Sequence, residues 1–169
     1  MIITKIFRTE TSHVVREAFS ERCKYNIHGH SYVWELNISG DLDKAGMVVD
    51  FGALSSIKKF VDLFDHATVF WNQEDRYSTS IEFFKKNFNR WIVMKQNPTA
   101  ENMARLLLKQ ANIFFKKMNM RCKAVSVVVH ETITGKATAF EYNDFDIIDE
   151  LSEELTNDLN KLNQSLLVK

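Results

Sequence analysis

The most regular pattern of hydrophobic and polar residues lies between positions 28 and 38. Alternate positions carry large apolar side chains and two histidines, namely His28, His30, Tyr32, Trp34, Leu36 and Ile38. Side chains two residues apart in a strand point to the same face, so this pattern predicts a strand with one buried face. Residues 2–13 mix Ile, Phe, Val and Thr with charged residues at short intervals, which predicts another strand. The polar segment 14–27 between them is predicted to be a loop.

Turn and capping residues dominate the next part of the chain. Residues 40–46 predict a turn, and 47–49 are predicted to begin a returning strand. Asp50 can cap a helix whose apolar stripe consists of Leu54, Ile57, Val61 and Phe64. Residues 67–97 are the least regular segment. There, Thr79 and Glu82 match a capping box, which predicts a short helix after Thr79.

The clearest helix of the chain begins at residues 98–99. Its apolar positions follow helical spacing and include Met103, Leu106, Leu107, Gln110, Ala111, Phe114 and Met118. Two strands, 122–131 and 137–142, are predicted on either side of a turn at 134–136. A C-terminal amphipathic helix is predicted from Ile148, Leu151, Leu155, Leu159, Leu162 and Leu166. This order of elements, with its hairpin turns, predicts an α+β fold built on an antiparallel sheet.

Charge divides the chain into two parts. The 169 residues include 22 basic and 22 acidic side chains, so the formal net charge is zero. Residues 1–140 carry 20 basic and 14 acidic groups, whereas residues 141–169 carry 2 and 8. We therefore predict one domain over residues 1–142 and an acidic helical extension over 143–169. The neutral total argues against a nucleic-acid partner, while the basic body suits an anionic small molecule.

Membrane and secretion signals are absent from the sequence pattern. No run of about 18 apolar residues is present, so no membrane-spanning helix is predicted. Lys5, Arg8 and Glu10 interrupt the N-terminal segment, which argues against a signal peptide. Cys23 and Cys122 do not suggest a disulfide framework. We predict a cytoplasmic protein without a membrane partner.

His28-Gly29-His30 is the most informative short motif. On a strand its two imidazoles point to the same face, about 6–7 Å apart, so they can converge on one metal ion. Imidazole suits zinc, and a catalytic zinc has three protein ligands. His13, at the end of the first strand, is the candidate third ligand if the two strands pair. The alternative is a surface histidine pair without a metal.

Three further residues are candidates for proton transfer. Cys23 lies between Arg22 and Lys24, whose positive charges favour a thiolate that can act as a base or nucleophile. The alternative for a lone cysteine is inert packing. Asp65 and His66 fall at the end of a predicted helix, where they can form a carboxylate–imidazole pair or merely cap the helix.

Two acids are candidates for substrate binding. Glu131 follows an apolar strand and is predicted to share a face with Val125, Val127 and Val129. A carboxylate in a buried place needs a partner, and it could accept two hydrogen bonds from an aminopyrimidinone ring. Glu101 lies in the first turn of a helix, where the helix dipole alone can explain an acid.

Six segments of the chain occur in an order that resembles a known family. They are Thr11-Ser12-His13, Cys23-(x4)-His28-Gly29-His30-Ser31-Tyr32, Gly46-Met47-Val48-Val49-Asp50-Phe51, Leu63-Phe64-Asp65-His66, Pro98-Thr99-Ala100-Glu101-Asn102 and His130-Glu131-Thr132. Together they resemble the family of 6-pyruvoyltetrahydropterin synthase and 6-carboxytetrahydropterin synthase. The resemblance covers residues 1 to about 142. The segment 67–97 is longer than in a minimal member, and the acidic tail lies outside the match.

The resemblance implies a tunnelling fold, in which an antiparallel four-stranded sheet carries two main helices on one face. It also implies that subunits trimerise into a barrel and that two trimers stack as a homohexamer. Carried over by position, the resemblance implies that His13, His28 and His30 bind zinc. It implies that Cys23 is the general base and that Asp65 and His66 of a neighbouring subunit relay protons. It also implies that Glu131 anchors the pterin and that Glu101 is a second acid of the site.

The resemblance implies dihydroneopterin triphosphate as the substrate and Zn²⁺ as the cofactor. We expect the carboxy type, which forms 6-carboxytetrahydropterin, releases acetaldehyde and triphosphate, and feeds queuosine synthesis. One alternative is the pyruvoyl type, which eliminates triphosphate without cleaving the side chain. A second is a zinc-binding interaction module without catalysis, and a third is a relative that acts on another pterin.

Overall fold

Two long paired strands form the centre of the structure, a computed structural model that describes residues 1–73 and 77–141. Strand β1 (Ile2–His13) and strand β2 (His28–Gly40) are antiparallel along their whole length, from Ile2 opposite Ser39 to His13 opposite His28. Burial alternates along β2 with a period of two, and Trp34 and Leu36 are almost inaccessible to solvent. Both long strands predicted from the alternating pattern are therefore confirmed.

Four shorter strands complete one sheet, with the order β4-β3-β1-β2-β5-β6. These strands are Thr68–Trp71 (β3), Trp91–Met94 (β4), Cys122–His130 (β5) and Lys136–Phe140 (β6). The helices are Glu21–Tyr25 (α1), Ser55–Asp62 (α2), Tyr77–Asn87 (α3) and Ala100–Lys117 (α4), and a 3-10 turn at Phe51–Leu54 precedes α2. The α+β class is confirmed, and no helix among the described residues is long and apolar enough to cross a bilayer.

Helices α2 and α4 pack against the same face of the sheet and enclose one hydrophobic core. The predicted caps are present, because the Asp50 carboxylate accepts a hydrogen bond from the Gly52 amide and the Thr99 hydroxyl accepts one from the Asn102 amide. The predicted apolar stripe of α2 is buried at Leu54, Ile57, Val61 and Phe64. Capping and apolar spacing thus place both helices correctly.

The strand predicted to begin at 47–49 is wrong. The Asp43 carboxylate accepts hydrogen bonds from the Ala45 and Met47 amides, which holds this segment in a turn. Val48 and Val49 still pack against the core, which explains their apolar character. Both edges of β2 are already occupied by β1 and β5, so no edge beside β2 remains for a returning strand.

The segment 67–97 is more regular than predicted. It forms β3, α3 and β4, and both strands run parallel to their neighbours, β3 beside β1 and β4 beside β3. The sheet therefore has six strands and is mixed, whereas four antiparallel strands were expected. The expected four are present as β1, β2, β5 and β6. The short helix predicted after Thr79 is present as α3, but it begins at Tyr77, so Thr79 lies inside it and does not cap it.

Two other predictions differ from the structure or lie outside it. The segment 14–27 is not entirely a loop, because it contains the short helix α1. The predicted C-terminal helix and the rest of the acidic extension 143–169 lie outside the described residues.

A chain of polar groups crosses the core between β1, β2 and the end of α2. The Trp34 indole donates a hydrogen bond to the Thr9 hydroxyl over 3.0 Å, and the Thr9 and Thr11 hydroxyl oxygens lie 2.9 Å apart. The Thr11 hydroxyl donates to the Phe64 carbonyl over 2.8 Å. All three polar side chains are nearly inaccessible to solvent, so each group depends on its neighbour for a partner.

We expect Thr9→Val to lower the free energy of unfolding by about 1–3 kcal/mol, because it leaves the buried Trp34 N–H without an acceptor. Thr4→Val is the matched control: its hydroxyl bonds the Asn37 side chain at an exposed position of the same strand. Its effect should stay within about 0.5 kcal/mol. Urea unfolding measures both, and equal effects of the two variants would contradict a role for the buried chain.

Candidate metal centre and active site

Three histidines converge where β1 ends and β2 begins. Register pairs His13 with His28, and His30 lies two residues further along β2 on the same face. One ring nitrogen from each histidine lies within 4.8 Å of the other two. His13 is completely buried, whereas His28 and His30 are half-buried. The structure thus brings together the three residues expected to bind a metal ion.

Two backbone carbonyls orient the imidazoles. His13 Nδ1 lies 2.7 Å from the Pro98 carbonyl oxygen, and His28 Nδ1 lies 3.1 Å from the Asn26 carbonyl oxygen. A carbonyl can only accept, so each Nδ1 carries the proton and each Nε2 has a free lone pair. The two Nε2 atoms face each other at 3.1 Å. This pattern, with Nδ1 on a carbonyl and Nε2 free, is typical of metal-binding histidines.

The electrostatics of the cluster favour neutral imidazoles. Burial lowers the pKa of His13 from 6.5 to about 4; the hydrogen bond to Pro98 opposes this shift, and the neighbouring His28 adds to it. Burial also lowers the pKa of His30. Protonation of His13 and His30 is therefore disfavoured at neutral pH. Two lone pairs at 3.1 Å repel each other unless a cation lies between them, so the donor set fits a metal ion.

Glu131 lies beside the histidines, directly after β5. Its Oε1 is 3.5 Å from His13 Nε2 and 3.8 Å from His30 Nε2, and the carboxylate side chain is one-third exposed. Val127 and Val129 lie on its face of the strand, as predicted. Val125 does not, because the register shifts there and the inward position falls on Ala124.

Tyr32 belongs to the same cluster. Its hydroxyl donates a hydrogen bond to Glu131 Oε1 over 3.1 Å and lies 3.3 Å from His13 Nδ1. Burial raises the pKa of the Tyr32 phenol, and negative charges at Glu131, Cys23 and Glu101 raise it further. The sequence does not single out Tyr32 as functional, although the alternation along β2 places it on the same face as His28 and His30.

Cys23 and Glu101 reach this region from two helices. Cys23 lies in α1 and is half-buried, and its carbonyl accepts a hydrogen bond from the Val15 amide that holds α1 close to the end of β1. Glu101 is exposed in the first turn of α4. Both are near enough that a negative charge on either raises the pKa of the Tyr32 phenol. The three histidines, Glu131 and Tyr32 are thus in mutual contact within one chain, and Cys23 and Glu101 lie near Tyr32.

Asp65 and His66 form a contact pair elsewhere on the same chain. His66 Nδ1 is 3.0 Å from Asp65 Oδ2, and the other carboxylate oxygen accepts from the Glu10 amide over 2.9 Å. That hydrogen bond, followed by the one from His66, lowers the pKa of Asp65. His66 lines an open groove of about 350 Å³ together with Glu10, Ser12 and Ser31. Those strand residues point away from the face that carries the three histidines.

Arg90 supports the turn that carries this pair. Its guanidinium donates to the Asp65 carbonyl over 2.8 Å and to the Asp62 carbonyl over 2.6 Å. His66 has a positive φ of 57° and donates its amide to the Glu10 carbonyl. The turn is therefore held between β1 and a residue of the 67–97 segment. No local sequence signal identifies Arg90, because it acts through backbone carbonyls distant in sequence.

A comparison with protein families identifies the group to which this arrangement belongs. The family model described as 6-pyruvoyl tetrahydropterin synthase matches residues 2–142. The chain belongs to this family. Its matched region contains the three histidines, Tyr32, Cys23, Glu131 and the Asp65–His66 pair.

Relatives of this pterin synthase family member carry the name of the carboxy branch. The 6-carboxy-5,6,7,8-tetrahydropterin synthase of Helicobacter pylori is 35% identical over 148 residues, covering 83% of this chain and 72% of that protein. The protein of the same name from Haemophilus influenzae is 33% identical over 114 residues, covering 64% of this chain and 79% of that protein.

Solved structures share the fold. An uncharacterised protein of Wolinella succinogenes aligns with a TM-score of 0.72 and 21% identity, covering 83% of this chain and 98% of that one. The 6-pyruvoyl tetrahydropterin synthase of Caenorhabditis elegans aligns with a TM-score of 0.57 and 22% identity, covering 83% and 94%. At these identities the comparison shows the tunnelling-fold architecture alone.

We expect the purified family member to bind one divalent metal ion per chain and His28→Ala to lose it, because two imidazoles no longer complete the site. His66→Asn is the control: it removes an exposed histidine, and asparagine tolerates the positive φ at this position. Metal content after dialysis measures both. An unchanged metal content in His28→Ala would contradict the three-histidine centre.

Acid should destabilise the metal-free protein through His13. Its pKa is about 4 in the folded chain against an ordinary 6.5, so between these values the unfolded chain binds a proton that the folded chain excludes. Stability is therefore lost as the pH falls from 6.5 toward 4, by about 2–4 kcal/mol.

Urea unfolding at about pH 7 and about pH 4.5 measures this loss. Carboxylates also contribute to pH dependence, so His13→Asn serves as the reference in which the histidine contribution is missing. An identical pH dependence in wild type and His13→Asn would contradict the assignment.

Proposed function

We propose that the chain is a zinc-dependent 6-carboxytetrahydropterin synthase that acts in queuosine biosynthesis. It converts dihydroneopterin triphosphate to 6-carboxytetrahydropterin, with release of acetaldehyde and triphosphate. The observation that carries the proposal is the cluster of three converging histidines, in a chain 35% identical to a relative whose name gives the product of this reaction. We include a cytoplasmic location in the proposal.

The donor set suits zinc. At Zn–N distances of 2.0–2.1 Å, two nitrogens of a tetrahedral zinc site lie roughly 3.3 Å apart. The observed 3.1 Å between His13 Nε2 and His28 Nε2 is close to that separation. With His30 they provide three ligands, so one position remains for the substrate. Zinc bound there supplies Lewis acidity to the side-chain hydroxyls of the substrate and acidifies the adjacent C–H.

The protein residues have separate roles around this centre. Cys23, on the helix beside the histidines, removes the acidified proton as a thiolate. Glu131 accepts hydrogen bonds from the pterin ring through its carboxylate, and Glu101 is a second acid of the site. The basic body over residues 1–140 favours approach of the triphosphate.

Asp65 and His66 relay protons in a site that lies between subunits. Within one chain, His66 lines a groove with Glu10 and Ser31, whose side chains point away from the face that carries the histidines; His30 also lines this groove. This geometry supports a relay that serves the zinc centre of a neighbouring subunit. We therefore retain a homohexamer, built from two barrel-shaped trimers, as part of the proposal.

The deciding experiment incubates the zinc-loaded protein with dihydroneopterin triphosphate and measures the products. Acetaldehyde with 6-carboxytetrahydropterin supports the proposal. Triphosphate release without acetaldehyde identifies the pyruvoyl type instead. Zinc binding without any turnover identifies a non-catalytic zinc module.

In the same assay we expect Cys23→Ala to lower turnover by about 10²–10⁴-fold while zinc content stays unchanged, because a general base is lost and no metal ligand is touched. Cys122→Ala is the matched control. Burial raises the pKa of the Cys122 thiol, which lies in β5 within the core, so it is not a base. Full turnover in Cys23→Ala would overturn the role given to Cys23.

A further inference from the structure

Tyr32 is the one fully buried phenol among the described residues, and it lies between two groups of different function. On one side is His13, a proposed zinc ligand, and on the other is Glu131, the proposed pterin anchor. The Tyr32 ring packs edge-on against His13 and His30, with centroid distances of 5.9 and 5.5 Å. Trp34 packs next to it, with a centroid distance of 6.1 Å. The ring is therefore rigidly held, and its hydroxyl has a fixed position.

The direction of the Tyr32 hydrogen bond follows from its partners. An ionised carboxylate can only accept, so the phenolic proton points at Glu131 Oε1 over 3.1 Å. His13 Nδ1 donates its own proton to the Pro98 carbonyl at 2.7 Å. The His13 Nε2 lone pair is farther from the hydroxyl, at 3.4 Å, so the single hydroxyl proton goes to the nearer and charged Glu131 oxygen. The Pro98 carbonyl keeps the orientation of the imidazole without Tyr32.

Glu131 needs such a support because of where it lies. It follows the last residue of β5, and its side chain is one-third exposed, so neither the strand ladder nor close packing restrains the carboxylate. The same Oε1 lies 3.5 and 3.8 Å from nitrogens that face the metal position. A cation there attracts the carboxylate, and a carboxylate turned toward it no longer presents both oxygens to a pterin ring.

We propose that Tyr32 is a positioning residue whose buried hydroxyl holds the Glu131 carboxylate beside the histidine cluster, in the orientation that binds the pterin. This inference rests on the proposed function of the site. It assigns Tyr32 an effect on pterin affinity rather than on metal binding.

The test compares Tyr32→Phe with the wild type in the zinc-loaded protein. Phenylalanine fills the same space and removes only the hydroxyl. We expect the dissociation constant for neopterin, a fluorescent pterin that carries no triphosphate, to rise about tenfold, as for loss of a hydrogen bond to a charged group. KM for dihydroneopterin triphosphate should rise to a similar extent with kcat nearly unchanged, and zinc content should stay at one per chain.

Two comparisons separate positioning from a general structural effect. Tyr25→Phe removes a phenolic hydroxyl from an exposed residue and should leave neopterin affinity unchanged. In a Glu131→Gln background, Tyr32→Phe should weaken neopterin binding no further than about twofold, because its effect passes through the carboxylate. A full additional loss in that background, or loss of zinc from Tyr32→Phe, would overturn the proposal.

One readout does not require a pterin. The carboxyl ¹³C resonance of Glu131, identified by its disappearance in Glu131→Gln, should shift in Tyr32→Phe and stay in place in Tyr25→Phe. Failure of the wild type to bind neopterin would count against the proposed function. An unmoved Glu131 resonance in Tyr32→Phe would overturn the positioning role, whichever pterin the site accepts.

Discussion

The register between β1 and β2 is the constraint on which the rest of the structure depends. It places His13 directly opposite His28 and Thr11 opposite His30. A slip of one residue would turn the buried face of β1 to solvent, since side chains alternate with a period of two. Burial of Phe7 and Thr9 on the core face of β1 therefore specifies the metal ligands as well as the fold. Stability and chemistry rest on one set of strand contacts.

The sequence predicts those parts of the fold that leave a pattern within a short stretch of the chain. Long alternation is enough for β2, and capping residues are enough for α2 and α4. Strands β3 and β4 have four residues each, most of them buried, so neither shows an alternation that distinguishes a strand. Residues 47–49 have strand-like composition, but the sheet has no free edge for them beside β2. That outcome depends on the whole sheet, which no local pattern contains.

The site divides in the same way. The two histidines of β2 follow from their spacing, and His13 follows if the strands pair. Tyr32 lies on the same face of β2, but an aromatic residue at such a position indicates an ordinary core residue. Pro98 and Asn26 act through main-chain carbonyls, and Arg90 acts on main-chain carbonyls, so side-chain identity predicts none of these contacts. Asp65 and His66 are adjacent in sequence, but only the structure shows that their side chains meet and that Asp65 is held by the Glu10 amide of β1.

The contact between His13 and Pro98 also joins two equilibria. Pro98 lies immediately before Thr99, the cap of α4, and its carbonyl holds the proton-bearing nitrogen of the buried ligand. Any opening of the turn that starts α4 removes the acceptor that orients His13. By thermodynamic linkage, a cation that binds the oriented imidazole must stabilise that turn by the same free energy by which the ordered turn strengthens cation binding. Metal binding and order at the beginning of the longest helix described in the chain therefore share one coupling free energy.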